Sequence, residues 1–155
     1  MLSVSHAAPA DFDAICAIDR YIPRAELKRK LGTRPEQVLV LREGETAVGV
    51  LRWGLFWDYI PYVCFLSVSD ACRGRGYARE ALRFWEGERA AEGWPTVMAS
   101  IPSDDAAQHF YRRMGYRDAG SLLLSEGPLR QPPELFFLKE LANSDGNMRG
   151  PIYAD

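Results

Sequence analysis

Hydrophobic and polar positions divide the chain into seven predicted strands and four predicted helices. Alternating or continuous apolar runs predict strands at residues 2–7, 38–41, 47–56, 63–68, 96–101, 116–125 and 135–141. Helical spacing and stop signals predict helices from residue 9 towards Pro23, at 24–31, from residue 78 to near Gly93, and at 105–114. The predicted order is therefore β-α-α-β-β-β-α-β-α-β-β.

This order predicts a single α/β (or α+β) domain with a central mixed sheet and helices on both faces. A length of 155 residues fits one domain. We place the domain at residues 1–141. Residues 142–155 are polar, contain two glycines and a proline, and show no periodicity, which predicts a flexible tail.

Composition narrows the functional classes. The chain is 47% hydrophobic and 26% charged, with a net charge of −2, which favours neither a nucleic-acid nor a membrane partner. Cys16, Cys64 and Cys72 have no disulfide or zinc spacing, so we expect reduced thiols and no metal. The first residues lack the features of a signal peptide, and no apolar run is long enough for a membrane span. We expect a cytoplasmic protein.

The stretch between the fourth strand and the third helix carries the clearest chemical signal. After the strand at 63–68 come a short polar turn and Arg73-Gly74-Arg75-Gly76, and a helical pattern follows. Glycines allow backbone N–H groups to converge on phosphate oxygens, and a helix start favours negative charge. The alternative is an ordinary strand-to-helix turn with solvated arginines. A lone short glycine motif does not decide between the two.

Two motifs that follow one another along the chain resemble those of the GCN5-related N-acetyltransferase (GNAT) family. The first is Arg73-Gly74-Arg75-Gly76-Tyr77-Ala78, preceded by the strand ending Leu66-Ser67-Val68. The second begins at Asp104, where the family usually has asparagine, and runs through Ala107 and Phe110-Tyr111 to Gly115-Tyr116. The order of predicted elements also follows the family, from near residue 2 to Leu141.

The resemblance implies an N-acetyltransferase that moves an acetyl group from acetyl-CoA, its co-substrate, to a primary amine. It implies that the backbone from Arg73 to Ala78 binds the pyrophosphate. It also implies that the strand near Leu66 and Val68 holds the pantetheine arm, and we include Asp104 among the coenzyme-binding residues. No metal is implied.

Tyr111 matches the family tyrosine that protonates the leaving thiolate. The alternative is a core aromatic, because Phe110 and Met114 lie on the same predicted stripe. His109 is two positions away, about 200° around the helix, so we predict that it lies on the surface.

The general base is where the sequence departs from the family. Many relatives carry a glutamate at the positions that Cys64 and Phe65 occupy here. Asp58 is the nearest carboxylate and lies in an aromatic segment, residues 56–62. We predict that this segment lines the acceptor pocket and that Asp58 attracts or deprotonates the amine. The alternatives are a packed corner in which Asp58 caps a turn, and a chain of waters that carries the proton.

Two other functions stay open at this point. One is a non-catalytic acyl-CoA-binding module, which the missing glutamate and Asp104 favour. The other is an RNA-binding domain that uses Arg-Gly-Arg-Gly, which the negative net charge disfavours. The sequence leaves the acceptor unspecified, as a small-molecule or peptide amine. A homodimer is a further expectation, because the family often dimerises through its sheet or last strands.

Overall fold

The structure is a computed structural model, and it describes residues 1–141. The predicted tail, residues 142–155, lies outside the described residues.

The described residues form seven strands and four helices in the predicted order. The strands are β1 (Leu2–His6), β2 (Val38–Glu43), β3 (Thr46–Phe56), β4 (Ile60–Val68), β5 (Thr96–Pro102), β6 (Arg117–Leu122) and β7 (Glu134–Glu140). The helices are α1 (Phe12–Ile18), α2 (Arg24–Thr33), α3 (Tyr77–Ala91) and α4 (Ala107–Arg113). This architecture confirms the mixed α/β class. None of these helices combines the length and apolarity that crossing a membrane requires.

The seven strands form one sheet with the order β1-β2-β3-β4-β5-β7-β6. Strands β4 and β5 pair in parallel, whereas β1–β2, β2–β3, β5–β7 and β6–β7 are antiparallel. Strand β7 therefore lies between β5 and β6, although it follows β6 in the sequence.

Two predicted boundaries move for local reasons. Helix α1 ends at Ile18, well before Pro23, because the Asp19 side chain accepts hydrogen bonds from the N–H groups of Tyr21 and Ile22. A side chain that bonds the backbone two or three residues on replaces the helical pattern with a turn. Strand β4 begins at Ile60 rather than residue 63, because only the three turn residues 57–59 separate it from β3.

The start of α4 also differs from the prediction. The predicted helix covers residues 105–114. The helix begins at Ala107 instead, and the Asp105 side chain accepts the N–H of Ala107 at 2.8 Å.

The chain divides into two compact units, of which the first comprises residues 1–54 and 65–85. Apolar residues of α1 and α2, among them Ile15 and Leu27, pack with Val38, Val40 and Val50 of the sheet. The opposite face of the same strands receives α3, where Trp85 contacts Trp53 edge to face at 6.0 Å. Trp85 is fully buried, and burial of a large apolar side chain contributes about 1.5–3 kcal/mol.

The second unit comprises residues 55–64 and the described residues from 86 onward. Its core contains Phe137 of β7, which is fully buried. Nearby, the Tyr116 hydroxyl donates to Glu86 Oε2 at 2.7 Å, and Lys139 Nζ donates to Glu86 Oε1 at 3.0 Å. The buried Glu86 carboxylate therefore has a cationic partner and a hydroxyl donor, as a buried charge requires.

Candidate functional site

The glycine loop follows β4 in the first unit and leads into α3. Gly74 and Gly76 have φ values of +79° and +80°, which residues with a Cβ rarely adopt. A Cβ at either position would have no heavy atom within 4 Å, so the space beside both glycines is open. Turns with residues of this kind form concave sites in which successive N–H groups bind an anion, and α3 starts directly afterwards at Tyr77.

Glu43, at the end of β2, holds the side chains of this loop. Arg75 Nη1 donates to Glu43 Oε1 at 2.9 Å, and the Tyr77 hydroxyl donates to the same oxygen. The Tyr77 hydrogen bond, together with the Arg75 guanidinium, lowers the pKa of the Glu43 carboxyl below its usual value. On the other side of the loop, Arg73 donates to the Val68 carbonyl at 3.3 Å. Sequence reasoning missed Glu43, because nothing local connects a hairpin glutamate to a loop about thirty residues later.

The end of β4 lies unusually close to β3 in this unit. A Cβ on Gly49 would approach the Ser67 carbonyl oxygen to 2.9 Å, which real side chains do not tolerate. Gly54 has no such constraint, because a Cβ there would meet nothing within 4 Å. Glycine at position 49 therefore permits the close approach of Ser67, which lies between Leu66 and Val68, the residues expected to hold the pantetheine arm.

Tyr111 is buried in the second unit, with 3% of its surface exposed. Its ring stacks on Phe137 at 5.9 Å and meets Tyr116 edge to face at 5.5 Å. Burial, with smaller contributions from neighbours that include Tyr62 and Cys64, raises the pKa of the Tyr111 phenol. The hydroxyl therefore stays protonated over the whole range in which proteins work, which a proton donor requires. His109 and Asp104 are exposed, and the surface position predicted for His109 is confirmed.

Asp58 lies at the tip of the hairpin between β3 and β4. Trp57 and Asp58 have φ values of +51° and +64°, and Tyr59 N–H donates to the Phe56 carbonyl at 3.0 Å, so these two residues form a tight turn. The turn is energetically unusual, because bulky residues rarely adopt positive φ. The Asp58 side chain is exposed.

The aromatic residues around this turn differ in exposure, although the rings of Phe56 and Trp57 are in contact at 5.0 Å. Trp57 and Tyr59 are 73% and 52% exposed. Phe56 and Tyr62 instead form a cluster with Phe136 of β7, at centroid distances of 6.1–6.3 Å. The aromatic wall predicted for residues 56–62 therefore has only Phe56 and Tyr62 as its inward members.

A hydrogen-bonded group that sequence reasoning missed joins β4, β5 and β7. The hydroxyls of Tyr62 and Ser100 are 2.5 Å apart, and Ser100 Oγ lies 2.7 Å from Glu134 Oε2. Gln131 Nε2 donates to the other carboxylate oxygen of Glu134 at 2.9 Å. These residues belong to no motif. The single sequence signal was a serine, Ser100, in an otherwise apolar strand.

No metal site accompanies these groups within residues 1–141, where no three His, Cys, Asp or Glu side chains come together as ligands.

Solved structures share this fold. Ard1 from Thermoplasma volcanium superimposes with a TM-score of 0.81 at 14% identity, covering 92% of this chain and 99% of that one. A ribosomal-protein-alanine N-acetyltransferase from Brucella melitensis has a TM-score of 0.76 at 22% identity, covering 90% and 99%. A putative acetyltransferase from Salmonella typhimurium, solved with acetyl-CoA, has a TM-score of 0.74 at 21% identity, covering 91% and 94%. The chain therefore shares the fold of these three proteins.

Sequence comparison identifies the family. A sequence model of the acetyltransferase (GNAT) family matches residues 6–116, and the chain belongs to that family. An acetyltransferase from Yersinia pestis (strain Pestoides F) is 28% identical over 105 residues, which are 67% of this chain and 74% of that protein. Membership confirms the enzyme class that the two motifs predict, an acetyl-CoA-dependent N-acetyltransferase.

Proposed function

We propose that this protein transfers the acetyl group of acetyl-CoA to a primary amine of a small-molecule or peptide acceptor, by direct attack of the amine on the thioester. The observation that carries the proposal is the loop of Gly74 and Gly76, with its positive φ values and open space ahead of helix α3, in a chain of the GNAT family. The solved neighbours include an acetyl-CoA complex and a ribosomal-protein-alanine N-acetyltransferase, which supports the coenzyme and a peptide amine as acceptor.

The glycine loop would hold the coenzyme by its phosphates. Backbone N–H groups from Arg73 to Ala78 and the start of α3 offer positive partial charge to the pyrophosphate. Because these contacts come from the backbone, the conformation of the two glycines matters more than side-chain identity. Leu66 and Val68 at the end of β4 would bind the pantetheine arm through their backbone groups. Asp104 stays a proposed coenzyme contact.

Tyr111 would act as the general acid. As the C–N bond forms and the C–S bond breaks, the electron pair passes to sulfur, and the Tyr111 hydroxyl gives that sulfur a proton. The raised pKa suits this role, because the phenol remains protonated below and well above neutral pH. General acid catalysis of this kind contributes about 10²–10⁴-fold in rate.

An acceptor screen tests the proposal. Purified protein is mixed with acetyl-CoA and with amines that include polyamines, amino acids and short peptides. Release of the free thiol is followed by colour reaction, and products by mass spectrometry. We expect thiol release that depends on one class of amine and is matched by the acetylated amine. Tight acetyl-CoA binding without turnover for any amine would instead support the acyl-CoA-binding module.

A further inference from the structure

The proposed reaction needs a group that takes a proton from the amine. The attacking nitrogen becomes positively charged as the C–N bond forms, and the product amide requires loss of one of its protons. Strand β4, Ile60–Val68, contains no carboxylate, and Asp58 lies in an exposed turn. The carboxylate that could receive the proton must therefore be sought on other strands.

Glu134 of β7 is connected to β4 by two hydroxyl groups. An ionised carboxylate only accepts hydrogen bonds, so the hydrogen bond of 2.7 Å between Ser100 and Glu134 uses the proton of Ser100. Ser100 Oγ must then accept, rather than donate, in its 2.5 Å contact with the Tyr62 hydroxyl. Each hydroxyl therefore donates to the next group in the same direction, Tyr62 to Ser100 and Ser100 to Glu134.

The surroundings hold this chain of hydrogen bonds in place. Ser100 is 6% exposed, so water competes little for its hydroxyl. The Tyr62 ring stacks on Phe136 at 6.2 Å. Gln131 binds Oε1 of Glu134 and leaves Oε2 to Ser100.

Tyr62 and Tyr111 lie on opposite faces of the sheet. Tyr62 stacks on Phe136 and Tyr111 stacks on Phe137, and neighbouring residues of a strand point to opposite faces. Tyr62 is also among the neighbours that raise the pKa of the Tyr111 phenol. The reaction needs two separate groups, one that accepts a proton from nitrogen and one that gives a proton to sulfur.

We propose that Tyr62, Ser100 and Glu134 form a relay that receives the proton of the attacking amine, an inference that rests on the proposed acetyl transfer. The nitrogen gives a proton to the Tyr62 oxygen as Tyr62 gives its own to Ser100 Oγ, and Ser100 gives its own to Glu134. The amine loses one proton, Glu134 gains one, and both hydroxyls end as they began. Glu134 returns the proton to water before the next turnover.

Three conservative variants test the relay. Glu134→Gln keeps an oxygen that accepts a hydrogen bond from Ser100, but an amide cannot take up a proton at the pH of the assay. Ser100→Ala interrupts the chain, and Tyr62→Phe keeps the ring stack but removes the first hydroxyl. We expect each to lower kcat for the identified amine by about 10²-fold, the lower end of the effect of general base catalysis. Acetyl-CoA affinity by calorimetry and the melting temperature should stay near those of the wild type.

A double variant separates a relay from a set of independent contacts. Groups that act as one unit lose their effect together, so Ser100→Ala combined with Glu134→Gln should lower kcat no further than either change alone. Glu140→Gln is the matched control, since it makes the same change on the same strand at an exposed glutamate that pairs with Arg117. It should leave kcat unchanged.

The kinetics of these variants either support the relay or overturn it. Folded Glu134→Gln and Ser100→Ala proteins with wild-type kcat would overturn the relay. So would losses that appear only in KM or melting temperature, or that multiply in the double variant, because these indicate structural contacts. If the wild-type protein itself transfers no acetyl group, the proposed function fails, and the result is distinct from a relay failure because the wild type is measured first.

Discussion

Replacement of Gly76 by aspartate should weaken acetyl-CoA binding, and the structure separates the two causes of such an effect. A Cβ at this position meets no heavy atom within 4 Å, so steric conflict inside the protein is absent. What remains is the backbone conformation, with φ at +80°, and the new negative charge beside the expected pyrophosphate.

The two contributions have different magnitudes and different readouts. A left-handed backbone at a residue with a Cβ costs about 1–2 kcal/mol. That cost is present with and without coenzyme, so it lowers stability rather than affinity. A carboxylate about 4 Å from a phosphate charge costs about 1 kcal/mol in bulk water and about 4 kcal/mol near a protein surface. At about 1.4 kcal/mol per tenfold, this predicts an affinity loss between about fivefold and about 700-fold.

Calorimetric titration with acetyl-CoA measures the loss, and two variants isolate its cause. Gly76→Ala carries the backbone cost without the charge and should bind nearly as tightly as the wild type. Gly127→Asp makes the same change at a glycine of the second unit, with open space and φ of +81°, and should bind normally. A folded Gly76→Asp protein with wild-type affinity would refute the assignment of this loop to the coenzyme.

Three further variants test other parts of the account. Tyr111→Phe should lower kcat by about 10²–10⁴-fold with unchanged coenzyme affinity. A variant with wild-type kcat would show that Tyr111 serves packing in the core and not proton donation. Asp58→Asn tests the predicted acceptor role, and a change in kcat/KM below about twofold would exclude it. Gly49→Ala should destabilise by about 1–3 kcal/mol in urea unfolding, because its Cβ would press on the Ser67 carbonyl. Gly54→Ala, in the same strand without such a contact, is its control.

The sequence predicts the order of elements well because each depends on local patterns. Apolar positions at Ala81, Leu82 and Trp85 are all fully buried in α3, as their helical spacing requires. The glycine loop is equally local, since Gly74 and Gly76 occupy the positive φ values that their residue type allows.

The relay could not be predicted, because it depends on how distant strands pair. Ser100 lies 38 residues from Tyr62 and 34 from Glu134. They meet because β5 pairs with β4 on one side and with β7 on the other. Periodicity indicates which residues share a face of one strand but not which strands are neighbours or in what register. The predicted strands leave a turn between residues 56 and 63, but the positive φ of Trp57 could not be predicted, since a bulky residue gives no local signal for it.

Transfer of a labelled acetyl group tests the central claim most directly. Wild-type protein is mixed with isotopically labelled acetyl-CoA, first alone and then with the amine found by the screen, and both protein and amine are analysed by mass spectrometry. Direct attack predicts that the label reaches the amine in step with thiol release and that protein without acceptor stays unmodified. Label bound covalently to the protein, for example at Cys64, or thiol release without acetylated amine, would contradict the account.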